Sequence, residues 1–98
     1  MNEKREPIIS RTYGKGTDTV QLFVTRISGG AIDGTVFQYE VHLNNQEQLP
    51  KPLPSGNKYE IRKKWTNGLH DLVEDGWKYK GGATYDTAEA KFFDTESL

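Results

Sequence analysis

Ninety-eight residues leave room for one hydrophobic core, and only about a third of them are apolar. A formal net charge of −1 argues against a general nucleic-acid or membrane-surface binder, and the absence of cysteine excludes disulfides, zinc–thiolate sites and thiol nucleophiles. The charged start MNEKREPII lacks a signal-peptide core and no stretch nears the roughly 20 apolar residues that span a bilayer, so the expected protein is soluble and cytoplasmic.

Residues 1–6 carry no apolar side chain after the initiator and read as a flexible tail, leaving 7–98 as a single α+β domain. Ile8 to Tyr13 alternates as a strand, with Ile9 and Tyr13 on one face. Gly14 to Asp18 reads as a turn. Thr19 to Ile27 is a β-branched run in which Val20, Leu22 and Val24 share a face and Phe23 and Ile27 stand on the other, which marks it as the central strand. Ser28 to Gly34 is glycine-rich and loop-like. From Thr35 to Leu43, Phe37, Tyr39, Val41 and Leu43 alternate with Gln38, Glu40 and His42, as expected of an antiparallel strand with one wet face. Pro50, Pro52 and Pro54 then keep the chain extended as a connector from sheet to helix.

The segment Asn57–Trp77 carries the strongest helical signal. Ile61, Trp65, Leu69, Leu72 and Val73 fall at i, i+4, i+8, i+11 and i+12, which is one continuous stripe. Asn57 with Glu60 has capping-box spacing, and Gly76 followed by Trp77 fits a left-handed stop with a hydrophobic contact back onto the last turn. Against this, Gly68 costs a helix about 1 kcal/mol, and Tyr59, Ile61, Lys63 and Trp65 alternate before the turn dipeptide Asn67-Gly68. A strand to Trp65 followed by a short helix is therefore the competing reading.

Trp77, Tyr79, Ala83 and Tyr85 share one parity and read as a further strand, with Gly81-Gly82 marking a bulge or a close backbone approach. Asp86 with Glu89 repeats the capping-box spacing and opens a short C-terminal helix with Ala88, Phe92 and Phe93 inward. The phrase from Tyr85 to Ala90, Tyr-Asp-Thr-Ala-Glu-Ala, resembles the strand-to-helix step of plant ethylene-response DNA-binding domains over those six residues. Helix initiation accounts for the same six residues, and no site residue is carried over from the resemblance.

Chemistry-bearing patterns are sparse. His42 and His70 lie on different elements and lack metal-ligand spacing, so no metal and no cofactor is expected. None of the serines stands in a nucleophile elbow, and Thr35 occupies the position where a phosphate loop needs lysine after Gly29 and Gly34. Asp71, Glu74 and Asp75 gather at the C-terminus of the main helix, where they oppose its dipole. Surfaces remain. Trp65, Trp77, Tyr79, Tyr85, Phe92 and Phe93 crowd the C-terminal half and are the residue types that anchor protein interfaces. Arg62, Lys63, Lys64, Lys78 and Lys80, with Tyr79 interleaved, form the alternative, a nucleic-acid contact.

The resulting expectation is an α+β fold ordered β-β-β-α-β, in which an antiparallel three- to four-stranded sheet packs on one main helix and a short C-terminal helix follows. The expected function is a small, non-catalytic interaction or accessory protein, self-associating as a homodimer or binding an unidentified protein partner through the aromatic surface. The expected alternative is a nucleic-acid-binding accessory protein that uses the basic cluster.

Overall fold

The computed structural model describes residues 3–29, 35–48, 55–85 and 90–94. In chain order these form β1 (Glu3–Lys15), β2 (Asp18–Gly29), β3 (Thr35–Leu43), β4 (Gln46–Gln48), β5 (Ser55–Gly56), α1 (Lys58–Glu74), β6 (Lys78–Thr84) and α2 (Ala90–Phe93). All strand pairings are antiparallel, in the order β4-β3-β2-β1-β6 with β5 also beside β3. The four longer strands and the two helices follow the order expected from the sequence, and β2 is central. Pro50–Pro54 and the Asp86–Glu89 capping box lie outside the described residues.

Turn chemistry closes the hairpins. Lys15 pairs with Asp18 around Gly16 and Thr17, and Gly16 takes φ +60°, so the reversal is tighter than the Gly14–Asp18 span expected for it. Asn44 and Asn45 both take positive φ between Leu43 and its partner Gln46, the two-residue geometry that matches strand twist. That turn, β4 and β5 are additions to the expected fold.

The sheet starts earlier than polarity suggests. Residues 3–6, read as part of a flexible tail, extend β1: Glu3 lies opposite Gly29 and Glu6 opposite Arg26. Charge pairing holds this polar stretch in register. The Arg26 guanidinium on β2 binds the Glu6 carboxylate across the pair, while along β1 Arg5 Nε reaches Glu3 Oε2 at 2.7 Å. A register shift between Pro7 and Ile9 then makes Ile8 the extra residue of a bulge, and both Ile8 and Ile9 enter the core. A second shift, between Thr12 and Tyr13, makes Lys80 the extra residue beside Gly81, whose φ is +147°, while a side chain on Gly82 would collide with the Ser10 carbonyl. The glycine pair thus serves a bulge and a close approach together.

Residues 58–65 are helix, not strand. The capping box is complete: Glu60 N–H donates to Asn57 Oδ1 at 3.0 Å, and Asn57 N–H to Glu60 Oε1 at 3.1 Å. At the other end Gly76 takes φ +88°, its N–H bonds the Val73 carbonyl, and the Trp77 N–H bonds the Leu72 carbonyl, a Schellman stop. Most helical stability in proteins comes from packing of one face, so tertiary burial decides how stable this 17-residue helix is. Ile61, Trp65 and Leu69 are buried against the sheet, each contributing about 1.5–3 kcal/mol in gross terms. Leu72 is half-buried beside them, but Val73 is 52% exposed. One residue past Leu72, a rotation of about 100° carries Val73 off the contact.

At Gly68 α1 lies close on the sheet. A Cβ there would overlap the Tyr39 hydroxyl and touch Leu22, so the residue that weakens the helix locally allows it to lie down. The core is completed by Tyr13, Val20, Leu22, Val24, Phe37, Ala90 and Phe93. Arg11 ties β6 and the residue after α2 to β1, donating to the Ala83 carbonyl, Thr84 Oγ1 and Asp94 Oδ1.

Candidate interaction surface

The six aromatic residues expected to form one surface separate into core and surface groups. Trp65 and Phe93 are wholly buried and belong to the core, which corrects their assignment to a contact surface. Both lie where a helix is pressed onto β strands, and large rings fill that gap. Trp77 is half-buried, its indole N–H donating to Asp75 Oδ2 at 3.2 Å. Tyr79 is 57% exposed on β6, edge-on to Tyr13 with ring centres 5.6 Å apart. Tyr85, just past β6, is 37% exposed, and its backbone N–H bonds the Ile8 carbonyl. Phe92 is half-buried on α2.

A continuous aromatic chain does reach the surface, through a residue the sequence reading left out. Phe37 meets Phe93 at 5.5 Å, Phe93 meets Phe92 at 5.5 Å, and Phe92 meets Tyr59 at 5.1 Å. Tyr59 is 67% exposed, at the first turn of α1. The Arg62 guanidinium lies 5.0 Å and Lys58 Nζ 5.1 Å from the Phe92 ring centre, with Lys58 also over Tyr59. Each such contact is worth about 0.5–1 kcal/mol at an exposed site. The cations hold the rings in place and keep this corner positively charged. The available signal was positional: on a helix, Tyr59 falls outside the Ile61–Trp65–Leu69 stripe and must face away from the sheet.

The basic residues do not form one stripe. Arg62, Lys63 and Lys64 are exposed on α1, whereas Lys78 and Lys80 are exposed on β6, at the far side of the sheet order from β3. The Lys80 stem lies where a side chain on Gly14 would project. Tyr13 beside it points into the core, so Lys80 covers the sheet face opposite α1. That second face also carries Phe23 edge-on to the His42 ring at 4.8 Å, with His42 Nε2 3.4 Å from Glu40 Oε2. Gln38, expected on a wet face, is buried there beside the Arg5 guanidinium.

Charge on α1 is divided along its length. Lys58, Arg62, Lys63 and Lys64 outnumber Glu60 in the first half; Asp71, Glu74 and the capping Asp75 follow in the second. Lys15 Nζ answers Asp75 from β1, 3.4 Å from its carboxylate and 2.7 Å from its backbone carbonyl. The capping box engages the Glu60 carboxylate.

Among the described residues, Glu6, Tyr13 and Tyr39 have shifted pKa values. The hydrogen bond from Arg26 holds Glu6 below the usual carboxylate range. Burial raises Tyr13, and burial followed by the nearby Asp71 charge pushes Tyr39 up to about 12. None of the three lies on the aromatic corner. Among the described residues, no three His, Asp or Glu side chains converge as a metal site would require, and no helix is long and apolar enough to cross a membrane. Comparison with protein-family models, curated proteins and solved structures gives no match for this chain.

Proposed function

We propose that this chain is a small, non-catalytic accessory protein that binds another protein through the corner built by the first turn of α1 and by α2. The observation that supports this reading is Tyr59, two-thirds exposed yet braced edge-on by Phe92 with Lys58 and Arg62 around it. A rigid, amphipathic ring with neighbouring arginine is the composition of an interface anchor, because little conformational entropy is lost when a partner covers it. The test is a photo-crosslinking residue placed at Tyr59 and, separately, at Thr17 in the β1–β2 turn. A discrete adduct from position 59, competed by unlabelled protein and absent from position 17, is the expected result; equal labelling at both positions overturns the reading.

A second reading uses the same corner. An exposed ring with Lys58 over it and Arg62 over the adjoining Phe92 resembles the stacking platforms that hold single-stranded nucleic acid, while the separation of Lys78 and Lys80 from it weighs against an extended track. Binding to a single-stranded oligonucleotide that falls steeply with salt supports this second reading, and no binding at about 50 mM salt removes it.

A further inference from the structure

We propose that the outer edge of β6 takes up an extended acidic segment of another protein as an additional strand of the sheet. Its residues are distinct from those of the aromatic corner, and the inference does not rest on that reading. β6 ends the sheet order and is paired on one side only, by β1. Its seven residues contain no proline and no carboxylate, and Lys78, Tyr79, Lys80, Gly82 and Thr84 are exposed. The other edges are blunted. β4 is three residues long, and the part of β1 beyond β6 holds Pro7 and the salt-bridged side chains of Glu3, Arg5 and Glu6.

The register fixes what this edge offers. The Tyr85 N–H bonds the Ile8 carbonyl, and with Ile9 opposite Thr84 the alternation of an antiparallel pair turns the N–H and C=O of Gly82 and Thr84 away from β1. Side chains sort by face. Tyr79 stands opposite Tyr13 on the α1 face, 57% exposed and held edge-on to that ring. Lys78 stands opposite Gly14, and the Lys80 stem lies where a Gly14 side chain would project, so both lysines are on the other face. Among the described residues neither lysine has a salt bridge. Charge then names the occupant. A second copy would bring lysine-bearing edges together, which is how edge lysines prevent self-pairing. A strand with carboxylates at alternate positions meets the lysines on one face, and β-branched residues between them meet Tyr79 on the other.

The probe is the peptide acetyl-Glu-Val-Glu-Val-Glu-Val-amide, titrated up to about 1 mM, where even a millimolar complex is visible. Nuclear magnetic resonance follows the backbone amides, and circular dichroism confirms that each variant is folded. The expected result is slowed hydrogen exchange at the Gly82 and Thr84 N–H groups, with binding that weakens as salt screens the exposed charges. The peptide acetyl-Lys-Val-Lys-Val-Lys-Val-amide should bind about tenfold more weakly, and Lys78→Glu with Lys80→Glu should reverse that preference. Methylating the amide nitrogens of the glutamates, or separately of the valines, tells a paired strand from a loose ionic contact. One set should abolish binding and the other leave it, since alternate amides face the sheet. No change at β6 with the acidic peptide, whether or not a single-stranded oligonucleotide produces one, overturns the inference. Equal binding of the two peptides, or equal effects of the two methylations, does the same. Changes confined to Lys58, Tyr59 and Arg62 overturn it too, while leaving the reading of the corner in place.

Discussion

Gly68→Ala provides the sharpest test of how α1 lies on the sheet. At an exposed helical site this change is expected to stabilise by about 0.8–1.0 kcal/mol through helix propensity. Here the new methyl group would overlap the Tyr39 hydroxyl, with the Tyr39 Cζ 3.3 Å and Leu22 Cδ1 3.5 Å away. Overpacking of this kind costs about 1–3 kcal/mol. Subtracting the propensity gain leaves a net loss of about 1 kcal/mol. Tyr39→Phe removes the overlapping atom and leaves Cζ, which needs to move by only a few tenths of an ångström. In that background Gly68→Ala should therefore become neutral or stabilising by up to about 1 kcal/mol, and a double-mutant cycle should show coupling of about 1–2 kcal/mol. Urea unfolding followed by circular dichroism reads this, provided the slopes stay equal. If Gly68→Ala stabilises by its full propensity value in both backgrounds, α1 is not pressed against β3 at this point and the packing argument fails.

Three further outcomes are expected. Leu69→Ala should cost about 2–5 kcal/mol because its side chain is 3% exposed, whereas Val73→Ala, at 52% exposure, should cost under about 0.5 kcal/mol by the same denaturation assay. Gly76→Ala should cost about 1–2 kcal/mol, since alanine must then hold a left-handed φ of +88°; a thermal melt that does not move would show that the helix stop tolerates another geometry. Tyr39 sets an alkaline limit. Its folded pKa is raised to about 12, so between pH 10 and 12 unfolded tyrosine ionises while the folded one does not. Its stabilisation is complete below pH 10 and lost as pH rises through that window, and Tyr39→Phe should flatten the decline in a pH series of unfolding curves.

What the sequence made legible was mostly local. The Asn57–Glu60 box and the Gly76–Trp77 stop depend on groups within a few residues of one another, and both formed as their spacing implied. The features it hid depend on distant partners. Nothing in Glu3-Lys-Arg-Glu6 predicts a strand until Arg26 and Gly29 are known to lie opposite. Gly68 looked like a defect because its compensating partner, Tyr39, is far away in the chain. The aromatic surface was misjudged for the same reason. Trp65 and Phe93 are interface-type residues by composition, but burial is decided by which face meets the sheet, and Tyr59, off the helical stripe, is the ring left exposed.

The caps of α1 also explain how its outer charges are tolerated. A satisfied N-cap contributes about 0.5–2 kcal/mol, and the buried stripe of Ile61, Trp65 and Leu69 adds several more. A charge placed against the helix dipole costs about 0.3–1 kcal/mol only when it lies in a terminal turn, and less when salt screens it. Of the cations, only Lys58 lies in that first turn, where the Glu60 carboxylate closes the capping box, and at the other end Lys15 neutralises Asp75 from β1. The unfavourable remainder, Asp71 and Glu74 with Lys63 and Lys64, is therefore smaller than what the caps and core supply. The inner face and the ends stabilise α1, which leaves the charge order on its outer face free to be set by what that face meets.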